Sequence, residues 1–130
     1  MSEALSAIER KALEVALSGS APWLGVLRAQ VPNLRVLSRA YTGFGFLTDF
    51  ACESCVPAED LPSADSPTRV PVAWAAHPDV EGGGYGAICF NVFLKGGVIA
   101  CLEAASTTTW PGNEDLVTFE ENGVGNAAAP

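Results

Sequence analysis

From Gly83 to Trp110 apolar and polar residues alternate with a period close to two, the mark of extended chain with one face on a core. The pattern predicts two strands, Tyr85 to Leu94 and Val98 to Ala105, joined by Lys95-Gly96-Gly97. A three-residue loop with Gly97 in the left-handed region pairs Leu94 with Val98, Val92 with Ala100, Phe90 with Leu102 and Ile88 with Ala104. One face of this hairpin is then wholly apolar. The other carries Cys89, Asn91, Phe93, Ile99, Cys101 and Glu103. A two-residue turn at Gly96-Gly97 would slip the register by one and set Glu103 beside Phe90 and Ile88, so the pattern argues for the longer loop.

Upstream the period is helical. Ser2 to Leu17 predicts a helix with Leu5, Ile8, Ala12 and Val15 on one stripe and Leu13 and Leu17 beside it. Glu9, Arg10, Lys11 and Glu14 point away, Ser2 caps the start and Gly19 is a left-handed stop. A second helix is expected over Ala21 to Gln30, capped by Ser20, with Pro22 in its first turn and Pro32 at its end. Its buried side is Trp23, Leu24, Leu27 and Val31, and Gly25 marks a close helix–sheet contact. From Leu34 the period returns to two. LRVLSRAY and FGFLTDFAC form a first hairpin about Thr42-Gly43, with Phe44, Phe46, Thr48 and Phe50 lining the core and a bulge or tight backbone approach near Gly45.

Glu53 to Thr68, with three prolines and several acids, reads as a loop. Arg69 to Ala76 is a short third strand, placed by Pro71 at an edge or beginning there. Leu116 to Phe119 adds one more short strand, and Glu120 to Pro130 is a fraying tail. The expectation is therefore one α+β domain over residues 1–119, with two N-terminal helices packed on one face of an antiparallel sheet of about five strands.

Charge sharpens this picture. Residues 1–45 hold five bases and three acids, whereas residues 46–130 hold two bases and twelve acids, within a net charge of −8. A surface of that sign repels nucleic acid and membranes and steers cationic partners. The N-terminus carries acids where a signal peptide needs bases, and no apolar run approaches the ~18 residues of a membrane span, so a cytoplasmic location is expected. In that compartment the four cysteines are expected to be thiols rather than a disulfide framework.

Few residues offer chemistry. Cys52-Glu-Ser-Cys55 has the spacing of zinc knuckles and dithiol oxidoreductases. A zinc site would need two more ligands, for which Cys89, Cys101 and His77 are the candidates, the two cysteines being diagonal neighbours in the expected register, and a redox site would need a following helix that Val56-Pro57 does not offer. No cofactor and no metal is therefore assigned. Glu103 is the one acid inside the main hairpin, and Tyr85 and Trp110 stand at its open end; these three are the candidate binding residues. His77 stands in a turn-like HPDV, and Gly82 to Gly86 leads into a strand without the lysine of a phosphate loop. No catalytic residue is assigned.

The runs Tyr41 to Phe50 and Gly86 to Glu103, followed by Trp110-Pro111, resemble a group of short bacterial proteins to which no function is assigned. The resemblance implies a small bacterial α+β domain and brings no catalytic residues. Two readings of function stand at this point, beside a third in which the chain is a zinc-stabilised structural module. One is a non-enzymatic acidic module that binds a basic protein, as an immunity protein or antitoxin does. The other is a small-molecule-binding domain or minor enzyme with a pocket formed by Tyr85, Glu103 and Trp110. Self-association through an edge strand is compatible with any of these.

Overall fold

In the computed structural model, which describes residues 4–59, 61, 71–80 and 84–120, the chain opens with helix α1, Ala7–Ala16. The proposed cap Ser2 lies outside the described residues, and the helix starts later than expected. Ser6 accepts a hydrogen bond from the Glu9 N–H while the Glu9 carboxylate accepts one from the Ser6 N–H, a reciprocal capping box. The helix ends without a left-handed residue, since Gly19 has no positive φ. Instead Arg28 donates to the Leu17 and Gly19 carbonyls and so satisfies that end. Helix α2, Pro22–Gln30, begins at Pro22 with no side-chain cap from Ser20. Leu24 and Leu27 are buried, Trp23 and Val31 partly so, and Gly25 faces the Arg28 guanidinium rather than a strand.

Six strands follow: β1 (Arg35–Tyr41), β2 (Gly45–Ala51), β3 (Val72–Ala76), β4 (Ile88–Lys95), β5 (Val98–Ser106) and β6 (Thr118–Phe119). They form one antiparallel sheet in the order β1-β2-β5-β4-β3-β6, so the two hairpins join along β2 and β5. This is the expected α+β class with six strands rather than about five. The two-residue strand β6 pairs with the end of β3 and forms the edge, and β3 begins directly after Pro71, the second of the two placements expected from that proline. Residues 62–70 and 81–83, with the start expected for the third strand and the glycine run, lie outside the described residues, as do residues 121–130 of the tail. Glu120 is tied to the Trp74 carbonyl.

The β4–β5 register corrects the expected loop. Lys95 pairs with Val98 across a two-residue turn, and both Gly96 (φ 60) and Gly97 (φ 80) take the positive values of a type I′ turn. Leu94 then opposes Ile99, but Phe93 opposes Cys101, which leaves Ala100 as a bulge. That extra residue restores the parity the short turn would have lost. Phe90 faces Ala104 and Val92 faces Leu102 in the core, while Glu103 stands opposite Asn91 on the other face. The exception is Ile99, which precedes the bulge and is buried rather than outward. Strand β4 begins at Ile88, because Gly84–Gly86 forms a single 3₁₀ turn.

The core lies between the helices and the inner face of the sheet, where Phe46, Phe50, Ile88, Phe90, Val92, Leu102 and Ala104 meet Leu13, Leu24 and Leu27. Phe44, expected inside, is largely exposed at the β1–β2 turn. Its neighbour Gly45 shows why a glycine is needed there: a Cβ would overlap the Ala104 carbonyl oxygen. So the tight approach, rather than a bulge, is what stands near the turn; the bulge of this hairpin lies at its far end, in β1 at Leu37, between the pairs Val36–Phe50 and Ser38–Asp49. Glu9, expected to face solvent, is fully buried: Arg39 donates two 2.7 Å bonds to its carboxylate, and Thr48 Oγ1 a third at 2.6 Å.

Candidate functional site

Both helices pack on the inner face, so the outer face of the sheet has no described helix upon it. Strand alternation places Ala40, Leu47, Asp49, Cys101, Glu103, Ala105, Cys89, Asn91, Phe93 and Trp74 there. Leu47 is 37% exposed and Phe93 44%, unusual for large apolar side chains in the middle of strands. Cys101 is central to the group: it opposes Asp49 on β2 and Phe93 on β4, and Glu103 follows two residues later opposite Leu47. Asp49 and Glu103 are therefore diagonal neighbours, about 7 Å apart.

Each carboxylate accepts a hydrogen bond from a neutral donor. Ser38 Oγ donates to Asp49 at 3.2 Å, and Asn91 Nδ2 donates to Glu103 at 3.1 Å. Among the described residues bases stand only at the margins of this face: Arg35 pairs with Glu53 at 2.8 Å, and Lys95 flanks the β4–β5 turn. The local potential is accordingly negative, and the cysteines register it. Burial first, then the Asp49 and Glu103 carboxylates, push the Cys101 thiol up to about 11. Burial likewise raises Cys89, against the lowering effect of the Asn91 amide. At pH 8, Cys101 should be alkylated by iodoacetamide roughly tenfold more slowly than an ordinary thiol of pKa 9, its smaller thiolate fraction being partly offset by the greater nucleophilicity of the more basic thiolate, and Asp49→Asn should accelerate it. Equal rates for Cys101 and a free thiol would contradict this electrostatic picture.

The three expected site residues do not share one pocket. Glu103 lies on the outer face, whereas Trp110 packs edge-on against Phe46 (5.4 Å) and Phe90 (6.0 Å), which belong to the inner face. Trp110 closes the core, and its Nε1–H donates to Glu114. Tyr85 is half exposed in the 3₁₀ turn before β4. Asp49 is the residue the sequence reading left out of the site. Its alternation with Phe46, Thr48 and Phe50 already turned it outward, but only the β2–β5 register sets it beside Glu103.

The cysteines divide into two pairs. Cys52 and Cys55 are joined as a disulfide in the loop after β2, which corrects the expectation of four thiols. Cys89 and Cys101 are free, and the two-residue turn and the bulge together move them from diagonal positions to four residues apart along the hairpin, about 13 Å. That separation rules out the four-cysteine zinc site. Among the described residues no group of three metal-ligating side chains is assembled. His77 is buried in the turn after β3; its Nδ1 accepts from the Asp79 N–H at 3.0 Å, so its Nε2–H donates to the Asn113 carbonyl at 2.7 Å. No helix among the described residues is long and apolar enough to cross a membrane.

Comparison of the chain with protein-family models, with curated proteins and with solved structures finds no match.

Proposed function

We propose that this chain is a non-enzymatic acidic module that binds a basic protein partner and neutralises it by occupancy, as an immunity protein or antitoxin does. The observation that carries this reading is the outer face of the sheet, where exposed Leu47 and Phe93 flank two carboxylates that accept from the neutral donors Ser38 and Asn91. The excess of acids beyond residue 46 extends the same sign over the surface. Such a field speeds the encounter with a cation and weakens as salt screens it. The separation of Glu103 from Trp110 across the sheet weighs against the small-molecule pocket first considered for them.

The test is affinity capture from the native cell at low and at high salt, then stopped-flow association with the purified captured partner. A basic protein whose association rate falls roughly tenfold or more between low and physiological salt supports the reading. Capture of no basic protein, or a rate indifferent to salt, sinks it.

A further inference from the structure

A sheet with one face on a core ordinarily turns polar side chains outward, because exposed apolar area gains nothing from water. This outer face departs from that rule. Along β2, β5 and β4 it presents Leu47, Cys101, Phe93, Cys89 and Ala105, with polar positions confined mainly to Asp49, Glu103 and Asn91. The carboxylates sit within the apolar surface rather than at its rim, with Leu47 opposite Glu103 and Phe93 opposite Cys101, the residue that also faces Asp49. Two like charges about 7 Å apart on one sheet face repel each other, a cost that a cation seated between them would remove.

We propose that this face docks a basic, apolar-sided segment of the partner protein, whose arginine is seated between Asp49 and Glu103 while its aliphatic side chains cover Leu47 and Phe93. The inference rests on the acidic-module reading and gives it an address. Charge selects the occupant. A second copy of this chain would bring four carboxylates together at the centre of the contact, and a nucleic-acid or anionic-lipid surface would add phosphates to them. Arginine suits the seat better than lysine. Its planar fork can donate to two carboxylates at once, and its weakly hydrated guanidinium tolerates apolar walls. The diacid is also fixed in place, since both carboxylates stand on central strands of the sheet and are held by Ser38 and Asn91. Little side-chain freedom is therefore lost on binding.

The probe is a synthetic amphipathic helix with a leucine stripe flanked by arginines, titrated at low salt into the ¹⁵N-labelled chain and followed by amide chemical shifts. Shifts should concentrate at Leu47, Asp49, Asn91, Phe93, Cys101 and Glu103. The double variant D49N/E103Q should weaken binding roughly tenfold or more, Phe93→Ser should weaken it measurably, and Glu14→Gln on the exposed side of α1 should not. These outward positions leave the core intact, so unfolding midpoints should stay near that of the wild type. Shifts that map elsewhere, or equal losses for E14Q and D49N/E103Q, overturn the placement and leave the acidic-module reading standing. No binding at low salt overturns both. A free chain that sediments as a dimer, and becomes monomeric in Phe93→Ser, makes a second copy the occupant and overturns the proposal.

Discussion

Replacing Arg39 with alanine is expected to destabilise the fold by about 3–5 kcal/mol and to lower the thermal midpoint by about 10–20 °C. The reason is the carboxylate it would strand. Glu9 has no exposure, and its oxygens are accounted for by two bonds from Arg39, one from Thr48 and the N–H of Ser6. This cluster ties α1 to β1 and β2, so its loss loosens the layer contact as well as the ion pair. Removing Arg39 leaves a buried anion with two neutral donors, and removing one member of such a pair costs far more than the pair itself contributes. Glu9→Gln should cost less, because the Arg39 side chain is 21% exposed and can recruit water.

The same cluster sets a pH dependence. Burial, the largest single influence on Glu9, raises its pKa, but the hydrogen bonds from Arg39, Thr48 and Ser6 and the Arg39 charge outweigh it, so the folded value lies below the ordinary one. A lowered folded pKa means that the contribution is fully present above the ordinary carboxylate value and is lost as the pH falls through the folded value. Urea unfolding across that acid range should show the wild type losing stability faster than Glu9→Gln. Parallel acid limbs in the two proteins would contradict the assignment.

Glu9 also shows where the sequence was legible and where it was read past. The spacing Ser6-Ala7-Ile8-Glu9 is a capping-box pattern and fixes the start of α1 without any coordinates. Preferring Ser2 as the cap made Glu9 a mid-helix residue, and mid-helix acids are ordinarily solvated. Its partner was harder to find. Arg39 reaches the inner face only because Leu37 is a bulge that shifts the alternation of β1, and nothing local in RVLSRAY announces that extra residue. The helices, both hairpins and the faces of most strands follow from periodicity, which is a property of neighbouring residues. The Asp49–Glu103 pairing depends on two strands more than fifty residues apart, and register at that distance is set by turns and bulges whose cost the pattern does not display.

Removal of the Gln30 side-chain amide should have the next largest effect, roughly 2–4 kcal/mol for Gln30→Leu. Gln30 is buried at the end of α2, and its amide makes three bonds: Nε2 donates to the Val56 and Gly97 carbonyls, and Oε1 accepts from the Ile99 N–H at 2.9 Å. Leucine fills the space and leaves the Ile99 N–H and the Val56 carbonyl without that partner; Gly97 keeps the Ala58 N–H. Ile99 is the residue before the bulge, so this amide anchors the chain where β5 changes parity and Glu103 is committed to the outer face. Amide shifts should therefore change at Cys101 and Glu103 in this variant as well as at Ile99. Gln30→Glu separates a bonding role from mere packing. Its carboxylate can still accept from Ile99 but would face two carbonyl oxygens, which raises its folded pKa. The destabilisation should then be greatest above that value and be relieved as the pH falls and the acid gains a proton to donate. A Gln30→Glu protein whose stability difference from the wild type does not change with pH would show that shape alone, rather than hydrogen bonding, holds this corner and with it the register of the outer face.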